Sequence, residues 1–302
     1  MSSREDSNPQ TVAVVGPGAI GTTVAAALHE AGRTPRLYGR TYRARLELRA
    51  ADARIQVPGP VHTDPGASAA VADIVFLAVK ATQLQAAAPW LRVLCGRGSV
   101  VCVLQNGIEQ VELVAPLVPS GTEIAPAVVW SPAQRQSDGA VLLRGDARIS
   151  LPRIPAALRV ASTLRGTRCA VELEDDYVTT AWRKLLQNAT AGLMALAGRR
   201  SGMFARPDVA RLALAYLREC ARVARAEGAL VEDRILQDIL AGFRSAPADM
   251  GTSILVDREA GRPLEWEVRN EVISRLARRH GLSTPISDVV VPLLAAASDG
   301  PG

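Results

Sequence analysis

The chain has 302 residues, which is enough for one large domain or two ordinary domains with separate cores. Apolar residues make up 48% of the chain and aromatic residues only 4%, which favours helical and α/β packing over an aromatic-rich β-sandwich. The formal charge is +5, but the arginines are scattered, and their densest group (Arg40, Arg43 and Arg45) lacks the repeated aromatic side chains of a single-strand nucleic-acid site. We therefore expect a small anionic ligand and no nucleic acid.

The cysteines, histidines and apolar runs argue against several other classes of protein. The four cysteines are widely spaced without a Cys-x-x-Cys pair, which is typical of small buried residues in a reducing compartment. The three histidines lack metal-ligand spacing, so no metal site is predicted. The polar N-terminus does not resemble a signal peptide, and no apolar run approaches the ~18 residues needed to span a bilayer. We expect a soluble, cytoplasmic protein with no membrane partner.

Strand and helix patterns alternate over the first part of the chain. The predicted strands are residues 11–15, 35–38, 74–79, 99–104 and 122–129, and the predicted helices between them are residues 22–31, 83–94 and 108–114. This alternation indicates a parallel sheet covered on both faces. Residues 140–144 and 148–151 are expected to form an appended β-hairpin around Gly145 and Asp146.

The pattern changes at residues 172–176. No later run is typical of a strand, and helices are predicted over residues 177–197, 207–227, 232–243, 264–280 and 286–297. The prediction is an α/β fold with a Rossmann-type parallel-sheet domain over residues 1–172 and an all-helical domain over residues 173–302.

A glycine-rich loop joins the first predicted strand to the first predicted helix. Its residues match the G-x-G-x-x-G pattern: Gly16, Pro17, Gly18, Ala19, Ile20 and Gly21. The strand before it and the helix after it supply the context that dinucleotide binding requires. The glycines permit a tight turn and close approach of a pyrophosphate, and the helix N-terminus offers free N–H groups to the phosphates. The alternative is a glycine-rich turn in an unrelated α/β domain.

The end of the second predicted strand indicates which dinucleotide binds. An NAD-specific site usually has Asp or Glu there, to hold the ribose 2′-hydroxyl. This chain has Arg40 instead, with Arg43 following closely. A guanidinium pairs bidentately with a 2′-phosphate, so the prediction is NADP(H). The alternative is a solvated basic turn.

Only two lysines, Lys80 and Lys184, occur among the 35 basic residues. Lysine can release its proton whereas arginine does not, so each is a candidate proton donor or compact hydrogen-bond donor; the alternative is mutational accident. Lys80 follows a predicted strand at the sheet edge where α/β folds bind ligands. Lys184 and Asn188 share one face of a predicted helix. Asn106 follows the next strand, where it could bind the nicotinamide ribose.

Together these pieces resemble the ketopantoate reductase family (2-dehydropantoate 2-reductases) over the whole chain. The matching pieces are residues 16–21, Arg40, residues 79–83, 105–107, 182–188 and 253–265. The resemblance implies an NADP-dependent oxidoreductase of pantothenate biosynthesis that reduces ketopantoate or a bulkier 2-keto acid to the 2-hydroxy acid. A homodimer is the candidate assembly.

The resemblance also implies residue roles. It makes Lys184 the proton donor and Glu265 a catalytic neighbour that also contacts the cofactor. It places Asn188 and Ser253 at the substrate, and Lys80 and Asn106 near cofactor and substrate. This assignment fits the chemistry, because hydride transfer to a ketone builds negative charge on oxygen and calls for a cation and a proton source there.

Three departures from the family pattern bear on the substrate. Ala191 and Gly192 stand where the family usually has Asn-Pro, residues 200–203 lack a further asparagine, and Glu271 replaces a glycine. Loss of two substrate-binding asparagines, at Gly192 and Gly202, predicts a wider, less polar cleft and poor activity on ketopantoate. Two alternatives stay open: a related dehydrogenase acting on another, less polar keto or hydroxy acid, and a non-catalytic NADP sensor.

Overall fold

A computed structural model describes residues 10–67 and 70–300 of the chain. It divides into two compact units. The first, here called the sheet unit, runs to Gln105 and continues over Glu109–Asp175. The second, the helical unit, comprises Asn106–Ile108 and the chain from Asp176 onward. No described helix is both long and apolar enough to cross a membrane.

Thirteen strands and four α-helices are described in the sheet unit. The strands are β1 (Val12–Val15), β2 (Arg36–Tyr38), β3 (Arg45–Arg49), β4 (Arg54–Pro58), β5 (Val61–His62), β6 (Ile74–Leu77), β7 (Val100–Val103), β8 (Glu123–Pro126), β9 (Val128–Trp130), β10 (Ala133–Arg135), β11 (Val141–Leu143), β12 (Ala147–Pro152) and β13 (Cys169–Glu174). The helices are α1 (Ala19–Glu30), α2 (Leu84–Leu94), α3 (Gln110–Val114) and α4 (Pro155–Leu164), with short 3₁₀ turns at Ala81–Gln83 and Ala115–Leu117.

The main sheet has six parallel strands in the order β5-β2-β1-β6-β7-β8. Its central strands β1, β6 and β7 are buried along their whole length, which explains why they are continuous apolar runs without alternation. Strand order reverses between β1 and β6, and open α/β sheets bind ligands at the carboxyl ends of strands beside such a switch point. The predicted parallel sheet is confirmed.

The predicted β-hairpin over residues 140–151 is wrong. Strand β11 pairs with β10 and β3 in a second sheet of order β10-β11-β3-β4, whereas β12 pairs with β13 and β9 in a third sheet. The physical reason is that β3 and β10 pair with β11 while β9 and β13 pair with β12, and these pairings replace the hairpin. Sequence reasoning did not predict β3, β4, β13 or α4.

Six α-helices and no strand are described in the helical unit. They are α5 (Tyr177–Ala197), α6 (Pro207–Ala226), α7 (Asp233–Ser245), α8 (Ser253–Glu259), α9 (Val272–Arg279) and α10 (Ser287–Asp299), with a 3₁₀ turn at Ser201–Ala205 and a π-helical turn at Glu267–Glu271. The prediction of α5 over residues 177–197 is confirmed. The Asp176 side chain caps this helix by accepting a hydrogen bond from the Thr179 backbone N–H at 3.0 Å.

One predicted helix differs in detail, and one helix was not predicted. The segment predicted as one helix over residues 264–280 instead contains a π-helical turn followed by α9. Glu265 lies just before the π-helical turn and does not begin an α-helix. Helix α8 has only seven residues, too short for a clear periodic signal. It begins at Ser253, one of the predicted site residues.

Candidate active site

The glycine loop packs so tightly at two of its three glycines that no other residue fits. Gly16 has a φ of +88°, and a Cβ atom there would lie 2.5 Å from Val79 Cγ1. A Cβ atom at Gly21 would lie 2.3 Å from the carbonyl oxygen of Gly16. At Gly18, in contrast, a Cβ atom would meet nothing described within 4 Å, so this part of the loop is open to a ligand. The loop therefore has the form of a cradle for phosphate groups.

Basic side chains follow β2 in the same unit. Arg40 is exposed directly after Gly39, and Arg43 is half-buried. Burial, and then the charge of nearby Arg135, lowers the pKa of Arg43. A shift of this sign means that the Arg43 cation lacks sufficient compensating negative charge. A bound anion such as a 2′-phosphate would supply that charge.

The ends of β6 and β7 are joined by side-chain hydrogen bonds. Gln105 follows β7 and donates from Nε2 to the Val79 carbonyl oxygen at 3.0 Å. Gln110 donates to the carbonyl oxygens of Gln105 at 2.7 Å and Ala127 at 3.0 Å. Lys80 follows Val79 and is half-buried. These bonds fix the backbone at the sheet edge from which Lys80 projects.

Three of the predicted site residues form one hydrogen-bonded chain in the helical unit. Asn188, on α5, donates from Nδ2 to Asn106 Oδ1 at 3.1 Å, and Asn106 donates from Nδ2 to Glu265 Oε2 at 3.0 Å. Asn188 and Glu265 are 7% and 5% exposed, so polar contacts are required to offset their burial. The fold thus brings into contact two pairs of residues whose members are separated by 82 and 159 positions in the sequence.

Arg269 extends this chain, and sequence reasoning missed it. Its Nη2 atom donates to Glu265 Oε2 at 3.1 Å and to Ser253 Oγ at 3.0 Å. Arg269 is only 2% exposed, whereas Ser253 is exposed. The one available signal was the four-residue spacing from Glu265, which suits an ion pair on a helix. A surface pair has the same spacing, so the sequence could not reveal the burial.

Lys184 lies on α5 one turn before Asn188 and is half-buried. Residues four apart on a helix lie on the same face, so Lys184 belongs to the side of α5 that carries the Asn188–Asn106–Glu265 contacts. A half-buried lysine on this face can donate a proton to a developing alkoxide.

The predicted widening at two glycines is wrong. A Cβ atom at Gly192 would lie 2.8 Å from Asn270 Nδ2 and 3.2 Å from Leu294 Cδ1, and one at Gly202 would lie 3.1 Å from Ala248. At neither glycine is the volume that a Cβ atom would occupy free, because other residues of the helical unit fill it. Glu271, the third departure, lies in the π-helical turn and pairs with Arg275 at 3.9 Å.

The cysteines behave as the sequence predicted. All four are buried and reduced, and burial raises the pKa of Cys95 and Cys169 to about 12. At neutral pH such thiols are protonated and inert, so they take no part in the chemistry of the site.

Comparison with known proteins identifies the family. The model of the family "Ketopantoate reductase PanE/ApbA" matches residues 12–156, and that of its C-terminal domain, "Ketopantoate reductase PanE/ApbA C terminal", matches residues 176–298. A 2-dehydropantoate 2-reductase of Mycobacterium tuberculosis is 58% identical over 292 residues, which cover 96% of this chain and 99% of that protein. One of Caulobacter vibrioides is 35% identical over 95% of this chain and 99% of that protein.

A solved structure agrees with these matches. The structure of a dimeric ketopantoate reductase from Staphylococcus aureus superposes with a TM-score of 0.87 at 26% sequence identity, covering 97% of this chain and all of that one. The two family models together span most of the chain on both sides of residue 175. The chain belongs to the ketopantoate reductase family.

Proposed function

We propose that the protein reduces 2-dehydropantoate (ketopantoate) to pantoate with NADPH. The observation that carries this proposal is the end-to-end similarity to the M. tuberculosis 2-dehydropantoate 2-reductase, at 58% identity. The hydrogen-bonded group of Asn106, Asn188 and Glu265 supports it, since such a group suits a small polar substrate. The main reason to expect a less polar substrate was a wider cleft, and the volume beside Gly192 is filled.

The residues fit NADPH. The tight turn at Gly16 and Gly21 and the open approach at Gly18 suit a pyrophosphate, and Arg40 with Arg43 suits a 2′-phosphate. We assign cofactor binding to residues 1–172, including Asn106, with a further contact from Glu265. When bound, the cofactor supplies the hydride.

We propose that Lys184 donates a proton to the C2 oxygen of the 2-keto acid as negative charge develops on it. Asn188 and Ser253 hold the substrate, and Glu265 keeps Lys184 charged and oriented until transfer. Lys80 contributes a further cation near the cofactor. Substrate binding and proton transfer are thus assigned to residues 173–302. The enzyme is expected to act in the cytoplasm as a homodimer, in line with the description of the S. aureus relative as dimeric.

Reductase assays test this proposal directly. Purified protein is mixed with NADPH and each of a set of 2-keto acids, and loss of the reduced-nicotinamide absorbance is followed. Ketopantoate should give the highest kcat/KM, and NADH should replace NADPH poorly. Faster turnover of a larger or less polar 2-keto acid would show that the substrate assignment is wrong. Absence of NADPH oxidation with every acid would contradict the enzymatic function itself.

A further inference from the structure

Arg269 is a buried cation whose hydrogen bonds are only partly satisfied. Its Nη2 atom makes two hydrogen bonds, to Ser253 and Glu265, but its Nε atom is buried without a hydrogen-bond partner among the described residues. A buried donor without a partner destabilises a fold, and an apolar side chain of similar volume would avoid that cost. Stability alone therefore does not explain an arginine at this position.

The backbone around Arg269 directs it inward. Arg269 lies in the π-helical turn at Glu267–Glu271, an element that is rare and frequently found at functional sites. Arg269 and its neighbour Asn270 are both buried, at 2% and 0% exposure. Asn270 donates to the Ala189 carbonyl oxygen and to Tyr216 Oη, each at 3.1 Å, which ties the turn to α5 and α6. The guanidinium is thus held in a fixed place beneath Ser253.

The donor-only chemistry of arginine fixes the direction of the hydrogen bond to Ser253. A guanidinium has five N–H donors and no acceptor, so Ser253 Oγ must accept from Arg269. The single hydroxyl hydrogen of Ser253 then remains to be donated to another group. Since Ser253 is exposed while Arg269 is not, that donor faces outward with a buried positive charge behind it. A carboxylate oxygen is the ligand that matches this combination.

The same argument fixes the orientation of the other polar groups. Glu265 Oε2 accepts from both Arg269 and Asn106, and the adjacent guanidinium favours the ionised carboxylate. Asn106 must present its Nδ2 to Glu265, and its Oδ1 is then the acceptor for Asn188. One guanidinium therefore determines the state of Glu265 and the amide orientation of two asparagines.

We propose that Arg269 is a positioning residue that gives this site its preference for an acid. It orients the Ser253 hydroxyl as a donor to the substrate carboxylate and holds Glu265 ionised. The proposal rests on the proposed function, since it takes Ser253 to face the carboxylate of a 2-keto acid. Arg269 itself acts through Ser253 and Glu265 and needs no contact with the substrate.

The test compares an acid with a neutral analogue. Ketopantoate and its lactone, which has the same ketone but no ionised carboxylate, are reduced by the wild type, Arg269→Met, Arg269→Lys and a control, Arg211→Met. Arg211 is an exposed residue of α6 outside the site. KM and kcat are measured for both substrates, together with KM for NADPH.

In Arg269→Met, kcat/KM for ketopantoate should fall about 10- to 100-fold, mainly through KM, as expected for loss of a charge-assisted contact. The value for the lactone should fall by a smaller factor, because only the effect that passes through Glu265 acts on it. The ratio of kcat/KM for ketopantoate to that for the lactone should therefore drop about tenfold. Arg269→Lys should recover part of the loss, because an ammonium still donates to Ser253. Arg211→Met should match the wild type.

Equal losses for acid and lactone in Arg269→Met would overturn the proposal, because they would assign Arg269 a purely structural role. If Arg269→Met does not fold, Arg269→Lys is combined with Ser253→Ala. The lysine change should raise KM for ketopantoate in the wild type but not in Ser253→Ala, and independent effects would contradict the proposal. A wild type that reduces neither compound would instead refute the proposed function.

Discussion

Gly192→Asn is expected to destabilise the protein. Gly192 lies in the buried stretch of α5, and a Cβ atom there would lie 2.8 Å from Asn270 Nδ2. Asn270 is fully buried and donates to the Ala189 carbonyl oxygen and Tyr216 Oη. A new side chain must displace the Asn270 amide and break both bonds. Two hydrogen bonds at about 0.5–1.5 kcal/mol each, plus about 1–3 kcal/mol for overpacking, should lower the free energy of unfolding by about 2–6 kcal/mol.

Urea unfolding measures this loss against a matched control. Gly242→Asn makes the same substitution in helix α7, at an exposed glycine whose Cβ would meet nothing described within 4 Å. The control should be neutral or slightly stabilising, because asparagine is a better helix former than glycine. The free energy of unfolding should therefore drop only in Gly192→Asn, without a gain in ketopantoate turnover. Equal stability of the two variants, or a higher kcat/KM for ketopantoate in Gly192→Asn, would refute the reasoning.

Three further predictions concern the cofactor, the proton donor and acid stability. Arg40→Ala should weaken NADPH binding by about 10- to 100-fold and leave NADH binding nearly unchanged in a fluorescence titration; equal losses would contradict the 2′-phosphate assignment. Lys184→Ala should lower kcat at least ~10²-fold with unchanged circular dichroism, and Lys184→Arg should recover little of it, because a guanidinium does not release its proton. The backbone N–H of Thr11 donates to Asp73 at 2.7 Å and its hydroxyl at 2.8 Å, and these contacts lower the pKa of Asp73. Their stabilisation is present above the ordinary carboxyl pKa of about 3.9 and is lost as pH falls through the lowered value, so Asp73→Ala should be less stable than wild type in urea at pH 7 and nearly equal at pH 2.

Local chemistry determined much of the sheet unit. The strand-glycine-helix order at residues 12–30 predicted the dinucleotide motif, because the turn at Gly16 and the packing at Gly21 tolerate no other residue. Continuous apolar runs predicted β1, β6 and β7, since strands buried on both faces need no polar alternation. The smaller strands β3, β4 and β13 were missed because they are short and carry charged or polar side chains, so their apolar pattern is weak. Strand β3 pairs with β4 directly after it and also with the distant β11, and β13 pairs with β12.

The polar site was only partly predictable. Asn106, Asn188 and Glu265 were identified through a resemblance to a family, and their mutual contacts could not be derived from spacing, because 82 and 159 residues separate the bonded pairs. Arg269 stayed hidden because burial of a charged side chain is decided by the packing of α5, α8 and the π-helical turn around it. The sequence alone does not indicate that Arg269 is buried.

By itself, the sequence determined the fold class, the family, the phosphate-binding loop and the identity of most polar groups, since each depends on residue type and on neighbours close in the chain. Only the tertiary structure decided how those groups act. It filled the space beside Gly192 with Asn270, and it buried Arg269 beneath Ser253. The reason is that the volume beside a residue, and the charge behind it, are supplied by segments distant in sequence.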